Sequence, residues 1–322
     1  MEYILPNEGN FYKANLHSHT TDSDGGLSPR ELCDLYKSHG YSVLCITDHD
    51  RMLDRSKLCD NDFLVLNGFE HSVGQFSHEG RLVHIGMIAT KPDMKPFVML
   101  PCPDRNSLSD DEYTKAVNNA VKIANENGFL CIQNHPRWSL DGDSECMQYE
   151  GFWGMEVYNH FSEVMGVEDY NVATHQRLAR RGKDVFAIMA DDDHNKKGWD
   201  VMQSNKFDVT TTSFGGWIVI KAPALTYDNI ITALKKGDFY ASTGPEFYEL
   251  YITDENKLFV KCSEVQSITV ACQMRRGLTK FSRDESFTEA EFDLNSVPGW
   301  VQVSITDKYG KRAVSQIKRL SE

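Results

Sequence analysis

The feature that most constrains the fold is the alternation of strand-like and helix-like segments along residues 1–245. The apolar runs at 41–47, 63–69, 129–133 and 185–190 are typical of strands buried on both faces. Helix-like segments lie between several of these runs, and such strand–helix–strand units indicate parallel strands with right-handed crossovers. At least six such strands favour a closed or nearly closed barrel over a doubly wound sheet. The functional face of such a barrel lies at the carboxyl ends of its strands.

A serine followed three positions later by glutamate marks the start of two predicted helices, at Ser28 and at Ser109. The first helix should stop at Gly40 and the second near Gly128, because glycine readily adopts the conformation that ends a helix. These local signals place helices between strands, as the predicted fold requires.

Candidate metal ligands collect where the predicted strands end. His17 and His19 are two positions apart in a strand-like stretch, so their side chains point to one face, and Asp24 follows in a polar loop before a Gly-Gly turn. Later strands deliver further imidazole and carboxylate groups at their carboxyl ends: His49, Glu70, His135, Asp192 and His194. His84 lies inside a strand-like run and fits this pattern less well. Because these groups are typical metal ligands, the pattern predicts a multinuclear metal site.

The composition argues against several classes of function. The formal net charge is −13, and most of the acidic excess lies in residues 1–245. This opposes binding to long nucleic acids, which needs clustered lysine and arginine. No apolar run approaches the length that a bilayer requires, and the amino terminus lacks the features of a signal peptide. The eight cysteines are scattered, without a C-x-x-C pair. We therefore expect a cytoplasmic protein with no membrane association.

Five elements of the sequence, taken in order, resemble the motifs of the polymerase-and-histidinol-phosphatase (PHP) superfamily of metal-dependent phosphoesterases. They are HSHTTDSDG at 17–25, TDHD at 47–50, the glutamate at 70, NHP at 134–136 and DDDH at 191–194. Two later stretches, at 237–245 and 303–317, resemble the tail of the CehA-like members. The resemblance implies an α/β fold with a distorted (β/α)7 TIM-like barrel. It also implies two or three bound Mn, Zn or Fe ions.

The resemblance implies a role for each candidate ligand. Three sets of ligands would each hold one ion, and the first two sets share Glu70. The first set is His17, His19, Glu70 and Asp192; the second is Glu70, His84 and His135; the third is Asp24, His49 and His194. The D-x-H spacing favours Asp192, on the same strand face as His194, although Asp191 could take its place. The oxygen ligand Asp24 favours harder ions such as Mn.

The predicted reaction is hydrolysis of a phosphate mono- or diester of a small molecule or nucleotide by a metal-activated water. We expect Asp192, His194 and Arg137 to act in catalysis, with Arg137 as the cation that contacts the phosphate. Lys196, Lys197 and Arg51 are alternatives for that contact, and each of the four cations could equally be an ordinary surface residue.

Two other functions stay open at this point. An amidohydrolase also begins with H-x-H on a barrel, but such enzymes commonly use a carboxylated lysine where this chain offers Glu70. The second is a non-catalytic module that binds metal or nucleotide. The oligomeric state cannot be read from the sequence.

The chain changes character near Pro245. Residues 246–322 consist of short β runs separated by turn residues, which predicts a small antiparallel β-sandwich-like domain after the barrel domain of residues 1–245. This second domain shows no ligand cluster, so we expect the chemistry to lie in the first.

Overall fold

A computed structural model describes residues 1–74, 80–99, 107–198, 200–201 and 205–320. The protein has a mixed α/β fold. Its helices are α1 Pro29–Ser38, α2 Asp110–Glu126, α3 Asp143–Gln148, α4 His160–Val164, α5 Val172–Arg180 and α6 Tyr227–Lys236, with a 3-10 turn at Ser56–Leu58. The first ten strands are β1 Glu2–Leu5, β2 Asn10–Asn15, β3 Val43–Ile46, β4 Leu64–Val73, β5 Val83–Ala89, β6 Phe129–Gln133, β7 Gly154–Asn159, β8 Phe186–Ala190, β9 Asp200–Val201 and β10 Asn205–Lys206. The other ten are β11 Trp217–Ala222, β12 Phe239–Ser242, β13 Phe247–Ile252, β14 Lys257–Val265, β15 Ser267–Cys272, β16 Leu278–Phe281, β17 Phe287–Asp293, β18 Trp300–Thr306, β19 Arg312–Val314 and β20 Lys318–Arg319.

Most strands belong to one sheet of 14 strands. Its order is β16-β15-β18-β19-β12-β11-β2-β3-β4-β5-β6-β7-β8, and β20 pairs with β18. A second, antiparallel sheet of four strands has the order β1-β13-β14-β17, and β9 pairs with β10. Both predicted capping boxes are present, at Ser28 and Ser109, and α1 and α2 end before Gly40 and Gly128 as predicted. Among the helices that the structure describes, none has the length and apolar character needed to cross a membrane.

The prediction of uniformly parallel strands is wrong in the middle of the sheet. β2, β3 and β4 are parallel, as are β6, β7 and β8, but β5 runs antiparallel to both of its neighbours. Only residues 74–82 separate β4 from β5. A parallel pair needs a crossover of about a dozen residues or more, so this connection is too short for one.

The sheet does not close, so a fully closed barrel is wrong, whereas the nearly closed, distorted TIM-like barrel stays a prediction. A strand has two hydrogen-bonding edges, and β2, β11 and β12 use both of theirs on other strands. β8 therefore lies at the edge of the sheet, because none of these strands has a free edge with which β8 could pair. Backbone hydrogen bonds join the segments beyond β2 and β8. There the Asp192 amide donates to the His17 carbonyl at 3.0 Å, and the His19 amide donates to the Asp193 carbonyl at 3.0 Å.

The side chain of Gln316 takes the place of a strand at the open edge of β8. Its amide oxygen accepts from the Ala187 backbone N–H at 2.8 Å, and its amide nitrogen donates to the Ala187 carbonyl at 3.0 Å. Gln316 is buried, so both backbone groups of Ala187 depend on it rather than on water.

We expect Gln316→Leu to lower the free energy of unfolding by about 2–4 kcal/mol, because it leaves a buried N–H and a buried C=O without partners. Urea unfolding of the two proteins measures the difference. Gln273→Leu is the matched control, since Gln273 is exposed and makes one described hydrogen bond, to Arg180. Equal destabilisation by the two substitutions would contradict this account of the edge.

The last part of the chain forms two packed layers. Apolar side chains of β13 and β14 in the four-stranded sheet pack against those of β15 and β18 in the large sheet. Two strand pairings cross the predicted domain boundary, since β1 pairs with β13 and β12 pairs with β19. The division into residues 1–245 and 246–322 stays a prediction.

His175 on α5 is a buried histidine away from the candidate ligands. Its Nε2 donates to the Val185 carbonyl at 2.8 Å, and its Nδ1 lies 3.4 Å from the amide nitrogen of Gln302, from which it accepts. Burial lowers the pKa of His175, although hydrogen bonding to Val185 acts in the opposite direction. The folded protein thus favours the neutral imidazole more than the unfolded chain does.

This arrangement predicts a loss of stability in mild acid. Below about pH 6.5 the unfolded chain protonates the residue more fully than the folded chain does, so the stability falls as the pH falls, by at most about 1.4 kcal/mol per pH unit. His175→Gln should reduce that slope below about pH 6.5 in urea unfolding measured as a function of pH. His39→Gln, at an exposed position, is the control, and an unchanged slope in His175→Gln would refute the prediction.

Candidate metal centre

All nine predicted ligands converge at one edge of the large sheet. Six of them lie just beyond the carboxyl end of a strand: His17 and His19 after β2, His49 after β3, His135 after β6, and Asp192 and His194 after β8. Glu70 lies inside β4, and His84 lies near the start of β5. Because β5 is antiparallel to β4, its amino end meets the carboxyl ends of the parallel strands. This orientation explains how a residue that fitted the sequence pattern poorly joins the others.

The ligand atoms form three overlapping groups, and within each group they lie within 4.8 Å of one another. The central group is His17, His19, Glu70 and Asp192. The second group is Glu70, His84 and His135, and the third group is His19, Asp24, His49 and His194. These are the sets implied by the resemblance, except that His19 also belongs to the third group. These three groups could bind metal.

Glu70 joins the groups. Its Oε1 lies 3.2 Å from a ring nitrogen of each of three histidines: His17, His84 and His135. Its Oε2 lies 3.5 Å from His19 Nε2 and 3.3 Å from His49 Nδ1. Asn134 also donates to Oε1, at 2.7 Å. One buried carboxylate thus contacts imidazoles of all three groups.

Asp192 and Asp191 have different surroundings. Asp192 Oδ1 lies 3.2 Å from His17 Nε2 and 3.1 Å from His19 Nε2, which places this carboxylate in the central group. Asp191 points away and accepts from the backbone amides of residues 214–216 and from the Tyr36 hydroxyl. Asp192 rather than Asp191 therefore lies among the candidate ligands, and its role as a metal ligand stays a prediction. Residues 191–193 lie beyond β8 and Asp192 has φ 54°, so the stretch is not a regular strand.

The Gly-Gly turn fixes the loop that carries Asp24. A Cβ on Gly25 would lie 2.4 Å from the His19 carbonyl oxygen, and one on Gly26 would lie 2.4 Å from the Asn195 carbonyl oxygen. Only glycine allows the turn to pack this closely between the segments that follow β2 and β8. The turn thereby holds Asp24 with Oδ2 3.2 Å from His194 Nε2.

The site opens to solvent at the third group. The side chains of Asp24 and His49 are 43% and 29% exposed, whereas each of the other seven candidate ligands is buried. Lys196 lies at this opening, with Nζ 3.8 Å from Asp24 Oδ2 and its side chain 32% exposed. A substrate would reach the site from this side.

The arrangement of ring nitrogens fits bound cations. His17 Nδ1 lies 2.8 Å from Glu156 Oε1 and His194 Nδ1 lies 3.0 Å from the Asp192 carbonyl, so in the neutral rings Nδ1 carries the hydrogen. Each Nε2 then presents a lone pair to carboxylate oxygens about 3.2 Å away. Such lone pairs repel unless a proton or a metal ion lies between them. Among the described residues, none forms a hydrogen bond with the buried Nδ1 atoms of His19 and His84, although His84 Nδ1 lies 3.2 Å from Glu70 Oε1. These donors match those that proteins offer to Zn, Mn or Fe.

The electrostatics of the site favour ionised carboxylates. Burial acts to raise the pKa of Glu70, but the neighbouring His84 and His17 imidazoles bring it well below its usual range. Burial lowers the pKa of His19 to about 4, and the His194 imidazole acts in the same direction. The centre therefore contains buried negative charge beside an imidazole that stays neutral, an arrangement that divalent ions would stabilise.

Glu156 was not predicted from the sequence, although it is the carboxylate that holds His17. Three acidic residues next to candidate ligands in the sequence form other described contacts. Asp48 accepts from Arg55, Asp50 pairs with His71, and Asp193 accepts from Tyr36. The signal for Glu156 was a single acidic residue within the buried run GMEVY at 154–158. An ionisable group in such a strand needs buried partners.

Arg137 follows the NHP turn on the surface. Its backbone N–H donates to Asp169 Oδ1 at 3.3 Å, and its Nε donates to Asn171 Oδ1 at 3.1 Å. Its described contacts thus orient the guanidinium without joining it to the nine candidate ligands. The catalytic role of Arg137 stays a prediction.

No protein-family model matches the sequence, and no curated protein matches it. Several solved structures are similar in fold. One is a two-domain protein from Bacteroides vulgatus that contains a predicted PHP-like metal-dependent phosphoesterase, with 14% identity, a TM-score of 0.47 and coverage of 100% of this chain and 98% of that chain. Another is a candidate metal-dependent phosphoesterase from Bifidobacterium adolescentis, with 15% identity, a TM-score of 0.39 and coverage of 64% of this chain and 98% of that chain. A third is an amidohydrolase from Chromobacterium violaceum with bound sulfate and no metal. It has 16% identity, a TM-score of 0.38 and coverage of 56% of this chain and 87% of that chain. Likenesses this distant do not assign a family or an activity to this chain.

Proposed function

We propose that the protein is a metal-dependent phosphoesterase that hydrolyses a phosphate mono- or diester of a small molecule or nucleotide. The observation that carries this proposal is the overlap of the three groups, which share Glu70 and His19 and so offer neighbouring sites for two or three divalent ions. The ordered motifs that resemble the PHP superfamily, and its CehA-like members in particular, support the same proposal.

Bound divalent ions would lower the pKa of a water molecule and offset the negative charge of phosphoryl oxygens. The chain contributes three carboxylates to the site, from Asp24, Glu70 and Asp192. Glu156 adds a fourth carboxylate beside His17. Three divalent ions would carry more charge than these four carboxylates together, so a site loaded with three ions would attract an anion. The supporting hydrogen bonds from Asn134 to Glu70 and from Asn159 to Asp192 hold the carboxylates in place. A phosphate ester therefore suits this site better than a neutral amide.

We also propose that a cation near the centre contacts the phosphate, either Arg137 or Lys196. Arg137 lies two residues beyond His135 of the second group, and Lys196 lies beside Asp24 of the third group. If either residue binds the phosphate, its replacement by methionine should raise KM more than it lowers kcat. The two single variants, assayed separately, identify the residue that makes the contact.

The test is hydrolysis of nucleotide, sugar and aryl esters by the Mn-loaded protein, measured as phosphate release from monoesters and as release of the alcohol from diesters. We expect turnover that disappears in Asp192→Asn and persists in Asp228→Asn, a matched change at an exposed position on α6. Elemental analysis of each protein separates loss of metal from loss of chemistry. Full metal content without hydrolysis of any monoester or diester would overturn the proposal, and turnover of amides instead would favour an amidohydrolase.

A further inference from the structure

Glu156 on β7 is a buried carboxylate outside the three groups. Its side chain receives three hydrogen bonds and its residue is 1% exposed. Oε1 accepts from His17 Nδ1 at 2.8 Å. Oε2 accepts from the His135 backbone N–H at 2.7 Å and from Asn159 Nδ2 at 2.8 Å. The residue thus contacts the central group through a side chain and the second group through the backbone.

The chemistry of a carboxylate decides which nitrogen of His17 carries the hydrogen. An ionised carboxylate only accepts hydrogen bonds, so His17 Nδ1 must donate. In the neutral ring Nε2 is then unprotonated, and this nitrogen lies 3.2 Å from both Glu70 Oε1 and Asp192 Oδ1. The lone pair of His17 therefore points to the place where an ion of the central group would lie.

A glutamine at position 156 would reverse this arrangement. The position of Oε2 receives two N–H donors, from His135 and Asn159, so the amide oxygen of glutamine must occupy it. The amide nitrogen would then face His17 Nδ1, which could only accept. The hydrogen of the neutral ring would move to Nε2 and point at Glu70, where it would occupy the place of the ion.

We propose that Glu156 sets the tautomer of His17 and thereby prepares the central group to bind a metal ion. It is a positioning residue, since it acts through His17 and through the backbone of His135. The inference rests on metal binding at the proposed centre, but it does not depend on which bond the protein hydrolyses.

The test compares Glu156→Gln with the unsubstituted protein in Mn²⁺ titrations followed by calorimetry. We expect binding weaker by about 10–100-fold, the usual effect of removing a partner that orients a metal-ligating histidine. Imidazole nitrogen NMR of the metal-free proteins at high pH reads the tautomer directly. The hydrogen should lie on His17 Nδ1 in the unsubstituted protein and on Nε2 in the variant. Glu150→Gln, at an exposed position, is the matched control.

Glu156→Asp tests whether the affinity for metal depends on the carboxylate accepting a hydrogen bond or on the full length of the glutamate side chain. Aspartate still only accepts hydrogen bonds, so it should keep the hydrogen on Nδ1 and lose less affinity than glutamine does. Equal losses in the two variants, or an unchanged tautomer in Glu156→Gln, would overturn the proposal. An unsubstituted protein that binds Mn²⁺ without hydrolysing any monoester or diester would count against the phosphoesterase and leave the inference standing. A protein that binds no divalent ion would remove the basis of both.

Discussion

Glu70→Gln is expected to abolish metal binding at two groups at once and to reduce phosphate release by more than a hundredfold. Replacing a residue that only orients a metal ligand typically costs about 10–100-fold, so the expected effect is larger. Glu70 is shared by the central and second groups, and its two oxygens contact imidazoles in all three. Glutamine has the same shape but no charge, and only one of its two terminal atoms can be a ligand. One substitution therefore removes a bridging ligand and a buried negative charge together.

Elemental analysis of Glu70→Gln after loading with Mn²⁺ and removal of free ions measures the first effect, and phosphate release measures the second. The matched control is Glu126→Gln, because Glu126 lies at the exposed end of α2. Loss of a single ion, with the others retained at full affinity, would contradict the role of Glu70 as a shared ligand.

The second large effect concerns stability. Asp191→Ala should lower the free energy of unfolding by about 3–5 kcal/mol, because several buried donors lose their common acceptor. Asp191 accepts from the backbone amides of residues 214–216, at 2.8–3.0 Å, and from the Tyr36 hydroxyl at 2.8 Å. It thereby ties the end of β8 to the segment before β11.

Urea unfolding of the metal-free protein measures the cost of Asp191→Ala. Asp191→Asn should lie between the alanine variant and the unsubstituted protein, since its single oxygen keeps part of the set of hydrogen bonds. Asp192→Asn provides the contrast, because it should remove metal binding with a smaller loss of stability in the metal-free state. If Asp191→Ala lost metal and kept its stability, the two neighbouring aspartates would have the reverse of the roles assigned here.

The predictions that held depend on short-range chemistry. The start of α1 is set by Ser28 and Glu31, which are three residues apart, so a local pattern suffices to predict it. The nine candidate ligands were predicted because histidine and carboxylate groups recur at the carboxyl ends of parallel strands, where side chains necessarily meet. In this chain the strands that carry His17, His49 and Glu70 are parallel neighbours, so their convergence follows from strand direction.

The predictions that failed depend on which strands pair. The sequence does not show that β5 runs antiparallel, that β2 and β11 leave no edge for β8, or that the amide of Gln316 takes the place of a strand. Each of these is a choice among hydrogen-bonding partners far apart in the chain.

By itself, the sequence determined the α/β class, the starts of the main helices and the identity of the candidate metal ligands, because periodicity and residue chemistry are local properties. Only the tertiary structure decided that the sheet stays open and that Glu156 accepts a hydrogen bond from His17. It also decided that Asp191 accepts hydrogen bonds from backbone amides, whereas Asp192 contacts the histidines of the central group. The physical reason is that a polar side chain in a buried environment takes its role from the donors around it. In this protein those donors come from distant strands.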